Sequence, residues 1–233
     1  MIITNLFIIM DNFVIRKNPK PQENLKTIDV YTDGACSNNG KSDARAGFGI
    51  WFGDGDERNT SEAFTGTQTN NRAELLAIIK ALTILRKEIE EGRHIMIYSD
   101  SSYSIRCCTT YGEKMSKKGW VQKDNDIPNR EIVEVAYNFV KKYKNIQFTH
   151  IKAHTGLEDE HSIGNEHADR LANIAIGVEN CPYQRIKNKI YLNVPYDEKD
   201  EAKKMGARWD KSKKRWYTEP NNKFKVQMMG RWG

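Results

Sequence analysis

The segment that decides the fold reads TIDVYTDGACSNNG and occupies residues 27–40. Apolar and β-branched residues at 28–31 predict a strand and the NNG sequence at 38–40 indicates a turn, so we expect Asp33 inside that strand or at its end. Aspartate is depleted in strands because its side chain competes for backbone hydrogen bonds. A lone aspartate there is more commonly solvent-facing or turn-starting than part of a site. A functional role for Asp33 therefore depends on other carboxylates converging on it.

The composition is that of a polar globular protein. Of the 233 residues, 38% are hydrophobic and 29% are charged, and this length accommodates one ordinary domain plus a small appendage. No apolar run approaches the roughly 20 residues of a membrane span, and the apolar residues 1–10 lack the basic region and cleavage site of a signal peptide. The cysteines, Cys36, Cys107, Cys108 and Cys181, form no CxxC pair. We therefore expect an intracellular protein in a reducing compartment, the cytoplasm or the nucleus.

The basic residues concentrate at the C-terminal end. The formal net charge is +6. From residue 187 onward, 13 Lys and Arg residues face 6 Asp and Glu residues, whereas residues 1–186 hold 24 and 25. A basic appendage on a near-neutral domain suits a polyanionic partner, although a lysine-rich solvated surface has the same composition.

The hydrophobic pattern predicts an α/β fold. Two further short strands, at 47–52 and 61–66, follow the first strand closely, which indicates an antiparallel meander. Strands and helices then alternate, which predicts a mixed sheet flanked by helices. The later elements are a helix with apolar residues from 75 to 89 and its N-cap at Asn70 or Asn71, a strand at 95–98 closed by Asp100 at a helix start, a helix with Pro128 at its first position, a strand at 146–151 and a helix at 165–175.

Four acidic residues lie near the predicted strand and helix ends: Asp33, Glu74, Asp100 and Asp169. Glu74 has an alternative role in a capping box with Asn71, and Asp100 has one as a helix N-cap. Together the four supply the oxygen-rich pocket that suits Mg²⁺ or Mn²⁺. Two such ions bind the attacking water and the leaving oxygen of a phosphodiester.

The chain resembles type 1 ribonuclease H over residues 27–178. The resemblance implies a mixed five-stranded sheet flanked by helices and an enzyme that cuts the RNA strand of RNA/DNA hybrids, leaving 5′-phosphate and 3′-hydroxyl ends. The matching segments, in the order of the family, are YTDGACSNNG (31–40), RAGFG (45–49), QTNNRAE (68–74), IYSDS (97–101), GW (119–120), IKAHTG (151–156) and GNEHADRLA (164–172).

The resemblance also implies the roles of individual residues. Asp33, Glu74, Asp100 and Asp169 become the catalytic quartet for two Mg²⁺ ions, with Mn²⁺ as an alternative, and His154 becomes the catalytic histidine that assists proton transfer or product release. The implied RNA-strand contacts are Cys36, Asn39, Asn70 and Asn71, and the implied DNA-strand and phosphate contacts are Thr69, Tyr103, Tyr111, Lys117, Lys118 and Asn129. The partner is then an RNA/DNA hybrid, and we expect a monomer.

Two features depart from the family pattern. Thr67 stands where eukaryotic-type members tend to have a phosphate-pocket arginine, and the loop between His154 and Asp169 is lengthened and contains a second histidine, His161. Proofreading exonucleases are a rival class, but their first strand typically carries Asp-x-Glu, whereas Gly34 and Ala35 follow Asp33 here. Integrases usually end their acidic set with Glu, and a hybrid-binding protein without activity is disfavoured by the complete quartet.

The predicted domain organisation is a flexible leader at 1–26, a catalytic domain at 27–178, a linker at 179–188 and a small basic α+β module at 189–233 that binds nucleic acid. The last of these, the tail module, resembles a module attached to plasmid primases and other DNA-processing proteins. Its sequence predicts a strand, a helix ended by Gly206 and a hairpin turned at 210–214. We expect Trp209, Trp216 and Tyr217 to form its core, because so short a module has little else to bury. Its expected phosphate contacts are Lys203, Lys204, Arg208, Lys211, Lys213, Lys214 and Arg215.

Overall fold

The structure is a computed structural model. It describes residues 26–122, 126–153, 155, 157, 159–178, 189–210, 213–219 and 222–233. Residues 1–25 of the predicted leader, the predicted linker, His154 and Lys211 therefore lie outside the described residues. Within those ranges, no helix combines the length and the apolar character needed to cross a membrane.

A five-stranded mixed sheet forms the centre of the larger unit, as the sequence predicts. Its strands are β1 (Ile28–Ser37), β2 (Arg45–Trp51), β3 (Thr60–Ala63), β4 (Ile95–Ser99) and β5 (Ile146–His150). The spatial order is β3-β2-β1-β4-β5, with β1, β2 and β3 antiparallel and β4 and β5 parallel to β1. The long strand β1 is central, so Asp33 lies well inside the sheet.

Helices cover both faces of this sheet. They are α1 (Asn70–Ile84), α2 (Arg86–Glu90), α3 (Ser102–Cys108), α4 (Thr110–Lys117), α5 (Arg130–Lys142) and α6 (Glu160–Ala175). A Cβ added to Gly34 would collide with the backbone of α1 at Glu74, and one added to Gly49 would collide with the backbone of α6 at Ala168. These two glycines allow the helices to lie directly on the strands, one on each face.

Two predicted helix starts are wrong, and the alternative role of Asp100 as a helix N-cap is excluded. The N-cap of α1 is Thr69, whose hydroxyl accepts a 3.3 Å hydrogen bond from the Arg72 backbone N–H, rather than Asn70 or Asn71. The cap of α3 is Ser101, one residue after Asp100. Helix α5 begins after Asn129, which has a left-handed backbone, so Pro128 precedes the cap.

The start of α6 is also earlier than predicted. Asp159 caps the helix with hydrogen bonds of 3.1 and 3.0 Å to the N–H groups of His161 and Ser162, so the helix begins at Glu160 rather than Asn165. Residues 160–164, which were expected in a lengthened loop, are therefore helical, and Asp169 lies in the third turn of α6.

The tail module contains a three-stranded sheet and helices. Its elements are β6 (Ile190–Leu192), a 3₁₀ turn (Tyr196–Glu198), α7 (Lys199–Lys204), β7 (Arg208–Asp210), β8 (Arg215–Thr218) and α8 (Lys225–Trp232), with the strands in the order β6-β8-β7. The predicted strand, helix and hairpin are confirmed, and Gly206 follows α7 with a φ of 86°.

The core of the tail module differs from the predicted one. It consists of Leu192, Ala202, Ala207, Met228 and Trp232, with Trp216 packed against it. Helix α8, which the sequence analysis did not predict, supplies Met228 and Trp232. Trp209 is 48% exposed and outside this core, and Tyr217 is likewise not among its members. Because α8 fills the space beneath the sheet, Trp209 is left exposed and Tyr217 is half-buried outside the core.

Candidate metal centre

Asp33 is placed by the geometry of β1. It lies in the middle of the strand opposite Gly49 of β2, and it is 5% exposed. Its Oδ1 accepts a 2.7 Å hydrogen bond from the Gly34 N–H. A carboxylate buried in a central strand is costly to keep ionised.

Glu74 reaches the same point from α1. The helix approaches β1 closely because residue 34 has no side chain, and Glu74 is 6% exposed. Its Oε1 lies 3.5 Å from the Asn70 Nδ2, while its Oε2 is buried without a hydrogen-bond partner among the described residues. A buried carboxylate oxygen without a donor is a suitable position for a cation.

Asp100 completes the group from the end of β4, which lies beside β1 in parallel. Asn165 of α6 donates a 3.0 Å hydrogen bond to its Oδ2, and the His150 Nε2 lies 3.0 Å from its backbone oxygen. One carboxylate oxygen from each of Asp33, Glu74 and Asp100 lies within 4.8 Å of the others. Three elements that are distant in sequence therefore converge, as the sequence predicts.

The electrostatics of this acidic cluster favour a bound cation. Burial, and then the charges of Glu74, Asp100 and Asp169, raise the pKa of Asp33 well above its ordinary value. Burial and the charge of Asp100 raise the pKa of Glu74 in the same way. A divalent ion removes both the repulsion and the desolvation cost, and an all-oxygen donor set suits Mg²⁺ or Mn²⁺.

Asp169 faces the cluster from α6 but lies outside the group of three. Its charge contributes to the raised pKa of both Asp33 and Glu74. Its Oδ1 accepts a 3.0 Å hydrogen bond from the Asn173 Nδ2, one turn later in the helix. The structure thus brings carboxylate oxygens of Asp33, Glu74 and Asp100 within 4.8 Å of one another and places Asp169 beside this group.

His161 packs against side chains of β1 and β4. Its Nδ1 lies 3.0 Å from the Tyr31 Oη, and its ring stacks on Tyr98 with centroids 4.4 Å apart. These contacts attach the first turn of α6 to β1 and β4 and indicate a structural role for His161. The role predicted for His154, which lies outside the described residues, remains a prediction.

The predicted RNA-strand residues lie beside the acidic cluster. The Asn39 side chain accepts a 3.3 Å hydrogen bond from the Asn70 N–H, and the Asn70 side chain reaches Glu74. Asn71 is exposed on the next position of α1. Cys36 is partly buried and packs against the core, and burial raises the pKa of its thiol, which fits a small hydrophobic residue better than a polar contact.

Two predicted DNA-strand residues, Thr69 and Asn129, are joined by a residue that the sequence analysis missed. The Arg72 backbone bonds to Thr69, and its Nη1 lies 3.3 Å from the Asn129 Oδ1 and 2.6 Å from the Glu131 Oε1. The Asn129 amide in turn donates to the Tyr103 hydroxyl at 3.1 Å. The Arg72 Nε is buried without a partner among the described residues. Arg72 is part of the quoted QTNNRAE segment, but only the fold shows that it contacts Asn129.

The remaining predicted DNA-strand residues lie on and after α4. Tyr111 packs against the core, Lys117 pairs with Glu113 at 2.7 Å, and Lys118 is exposed at the helix end. Trp120 is 8% exposed and belongs to the hydrophobic core. The two lysines therefore provide accessible positive charge, while the tyrosine is only partly exposed.

Residues 25–176 match the family described as RNase H. The chain belongs to the RNase H family. Ribonuclease H1 of Rattus norvegicus is 36% identical over 148 residues, which cover 63% of this chain and 49% of the rat protein. Ribonuclease H of Hahella chejuensis is 32% identical over 154 residues, covering 65% of this chain and 95% of that protein. The chain thus spans about half the length of the rat relative but nearly all of this bacterial RNase H.

Solved structures of RNase H proteins share the fold. The crystal structure of LC9-RNase H1, a type 1 RNase H with the type 2 active-site motif, is 23% identical with a TM-score of 0.50, covering 72% of this chain and 78% of that one. The PFV RNase H domain is 21% identical with a TM-score of 0.50, covering 65% of this chain and 95% of that one. Residues 189–232 match a domain of unknown function, DUF5710. This match delimits the tail module without assigning it a role.

Proposed function

We propose that this RNase H family member is an endonuclease that hydrolyses the RNA strand of RNA/DNA hybrids, leaving 5′-phosphate and 3′-hydroxyl ends. The convergence of Asp33, Glu74 and Asp100, with oxygen atoms within 4.8 Å of one another, supports the proposal most directly. Asp33 and Glu74 lie in a site that favours their neutral forms unless a cation is bound. Apolar residues of the same size would destabilise the fold less than these buried carboxylates do, so a function explains the cluster better than stability does.

The acidic cluster is proposed to hold two divalent ions, with Asp169 as a further ligand. When bound, the ions would supply an activated water and electrostatic stabilisation of the leaving oxygen. Asn165 orients Asp100 through its 3.0 Å hydrogen bond, and Asn173 orients Asp169 in the same way. His154 is proposed to move a proton near the departing product.

The two asparagines beside the cluster are proposed to distinguish RNA from DNA. Asn39 and Asn70 are joined by a hydrogen bond and border Glu74, so a 2′-hydroxyl bonded to them would lie next to the acidic cluster. On the other strand, Thr69, Arg72 and Asn129 form a group with a buried guanidinium donor, which suits a DNA phosphate. Lys117 and Lys118 would add phosphate contacts.

Cleavage of a labelled RNA/DNA hybrid tests this proposal. Single-stranded RNA, duplex RNA and duplex DNA serve as the comparison substrates, each with Mg²⁺ and with EDTA. We expect cutting of the hybrid alone, dependent on Mg²⁺, and abolished by Asp100→Asn without loss of hybrid binding. Binding of the hybrid with no Mg²⁺-dependent cleavage would instead favour a non-enzymatic hybrid-binding protein.

Turnover and unfolding temperature of alanine variants distinguish the roles of His154 and His161. We expect His154→Ala to lower turnover while leaving the unfolding temperature unchanged. His161→Ala should lower the unfolding temperature, since it removes the contacts to Tyr31 and Tyr98. Loss of turnover in the His161 variant alone would reverse the assignment.

The tail module is proposed to tether the enzyme to nucleic acid. The surplus of 13 basic over 6 acidic residues from residue 187 onward supports this role. A truncated chain ending at Gly177 should bind hybrid more weakly than the full chain, with the difference shrinking as salt increases. Equal binding by the two chains at every salt concentration would contradict the tether.

A further inference from the structure

The sheet of the tail module has one face that its helices do not use. Leu192 of β6 and Trp216 of β8 are register partners, and both belong to the core that contains Met228 and Trp232 of α8. Because side chains alternate along a strand, neighbouring residues point to the opposite face. Tyr191 and Tyr217, also register partners, therefore lie on the face away from that core.

This outer sheet face, defined by Lys189, Tyr191, Arg208, Arg215 and Tyr217, combines aromatic rings with cations. Arg208 is the register partner of Tyr217, so a row of Tyr191, Tyr217 and Arg208 crosses all three strands. The two tyrosine rings meet edge to face with centroids 6.3 Å apart. Arg215 lies over the Tyr191 ring, 5.4 Å from its centroid, and Lys189 lies over the Tyr217 ring, 4.8 Å from its centroid. Both rings are half-buried, and a stacked base would take the place of these cations.

A buried carboxylate fixes this arrangement. Asp210 is 3% exposed and accepts 2.8 Å hydrogen bonds from the Lys189 ammonium and the Tyr191 hydroxyl. The Tyr191 ring is thereby held across the neighbouring strand before any ligand arrives, which reduces the entropy lost on binding. Asp210 neutralises Lys189, so the positive charge available to a ligand comes chiefly from the two arginines.

The two arginines are exposed, and neither is held in a buried ion pair with a described residue. Arg208 pairs with Glu219 at 3.1 Å, and the Arg208 side chain is 59% exposed, so this ion pair is open to competition from a phosphate. Arg215 donates a 2.9 Å hydrogen bond to the neutral amide of Asn193. Within the part of the tail that the structure describes, no carboxylate pairs with Arg215.

We propose that the outer sheet face binds single-stranded nucleic acid, with bases stacked on Tyr191 and Tyr217 and phosphates bound by Arg208 and Arg215. A sheet that presents aromatic rings between cations can stack two or three unpaired bases. The bases of a duplex are already stacked on one another and do not offer their faces to a flat sheet. The inference deepens the proposed tether, on which it rests, by giving it single-stranded DNA or RNA next to a hybrid as its ligand.

Binding of short labelled oligonucleotides to the full chain tests the inference. The Asp100→Asn background in EDTA prevents cleavage, and fluorescence anisotropy is measured with 12-nucleotide oligo-dT, oligo-U and a blunt hybrid. Tyr217→Leu should weaken binding of the single strands about tenfold, the effect of losing one stacked base. Tyr217→Phe keeps the ring and should retain the affinity. The oligo-dT and oligo-U arms show which sugar is preferred.

A matched pair of double variants separates the contribution of the outer sheet face to binding from that of the net charge of the tail module. Arg208→Gln with Arg215→Gln removes two charges from the outer sheet face, whereas Lys223→Gln with Lys225→Gln removes two charges at the N-terminal end of α8. The arginine variant should reduce the slope of log affinity against log salt by about 1.4, since each single-strand phosphate contact contributes about 0.7. The lysine variant should change that slope by less than half as much.

Several outcomes would overturn the inference. They are equal losses in the two double variants, undiminished single-strand binding by Tyr217→Leu, and loss of binding to the blunt hybrid alone. If Tyr217→Leu unfolds the tail module by circular dichroism, Arg215→Gln takes its place, because that side chain is exposed. Failure here is distinguishable from failure of the proposed enzyme, because hybrid cleavage by the unsubstituted chain in Mg²⁺ is measured separately.

Discussion

The stability of the metal-free protein should fall as the pH rises above about 4, because the acidic cluster retains protons in the folded state. The unfolded chain releases them near the ordinary pKa values of 3.8 for Asp33 and 4.5 for Glu74, whereas the folded-state pKa values are raised well above these. Between the unfolded and folded pKa values the folded state binds more protons, so the free energy of unfolding decreases with pH. Each retained proton contributes a slope of about 1.4 kcal/mol per pH unit.

Asp33→Asn provides the perturbation that isolates this effect. The amide keeps the shape of the side chain but removes one titrating group and its repulsion with Glu74. In EDTA the slope should therefore decrease by up to about 1.4 kcal/mol per pH unit, and the variant should be more stable than the unsubstituted protein at pH 7. Mg²⁺ at 100 times its dissociation constant should stabilise the unsubstituted protein by about 2.7 kcal/mol and the variant by less.

Urea unfolding in EDTA at half-unit steps from pH 5 to pH 8 measures these slopes. Asp54→Asn, which changes an exposed carboxyl in a turn, serves as the control and should leave the slope unchanged. Parallel plots of unfolding free energy against pH for the unsubstituted protein and Asp33→Asn would refute the reasoning. So would a metal-free protein that becomes more stable between pH 5 and pH 8.

Three further predictions concern packing and strand contact. Gly164→Ala should destabilise the protein by about 1–3 kcal/mol in urea unfolding, because the added Cβ meets the ring of Tyr31; an unchanged midpoint would mean that the ring can move. Arg72→Gln should raise the KM for hybrid severalfold, whereas Glu131→Gln, which frees the guanidinium 2.6 Å away, should lower it up to about fivefold; shifts in the same direction would exclude a phosphate contact. Met228→Ala should cost the tail module about 2–5 kcal/mol and expose it to limited proteolysis, and resistance equal to that of the unsubstituted chain would exclude a core role.

The sequence could predict the alternation of elements but not all of their ends. The mixed sheet follows from hydrophobic periodicity, which reports the buried face of each element. Helix starts depend on which side chain reaches the first free N–H groups, and several adjacent residues can do so. The packing of α1 and α6 on the sheet decides which residue caps each helix. Thr69 caps α1 rather than Asn70, and Asp159 caps α6 rather than a residue near Asn165.

The tail module shows the same limit for a small core. Its sequence does not show how much space the fold leaves for its aromatic residues. The amphipathic helix α8 covers one face of the sheet and fills it with Met228 and Trp232. Trp209 and Tyr217 are consequently left outside, a result that depends on where α8 packs rather than on the hydrophobicity of either residue.

By itself the sequence determined the fold class, because the periodicity of a strand or helix is contained within a few consecutive residues. It also identified Asp33, Glu74 and Asp100 as members of one acidic cluster, while the metal-binding role of the predicted quartet stays a prediction. Tertiary structure alone decided how close Asp33, Glu74 and Asp100 come, since they lie on elements separated by tens of residues. It also decided that Arg72 joins Thr69 to Asn129. Distances between such elements follow from how helices pack on a sheet, here through glycines without side chains, and no local pattern encodes them.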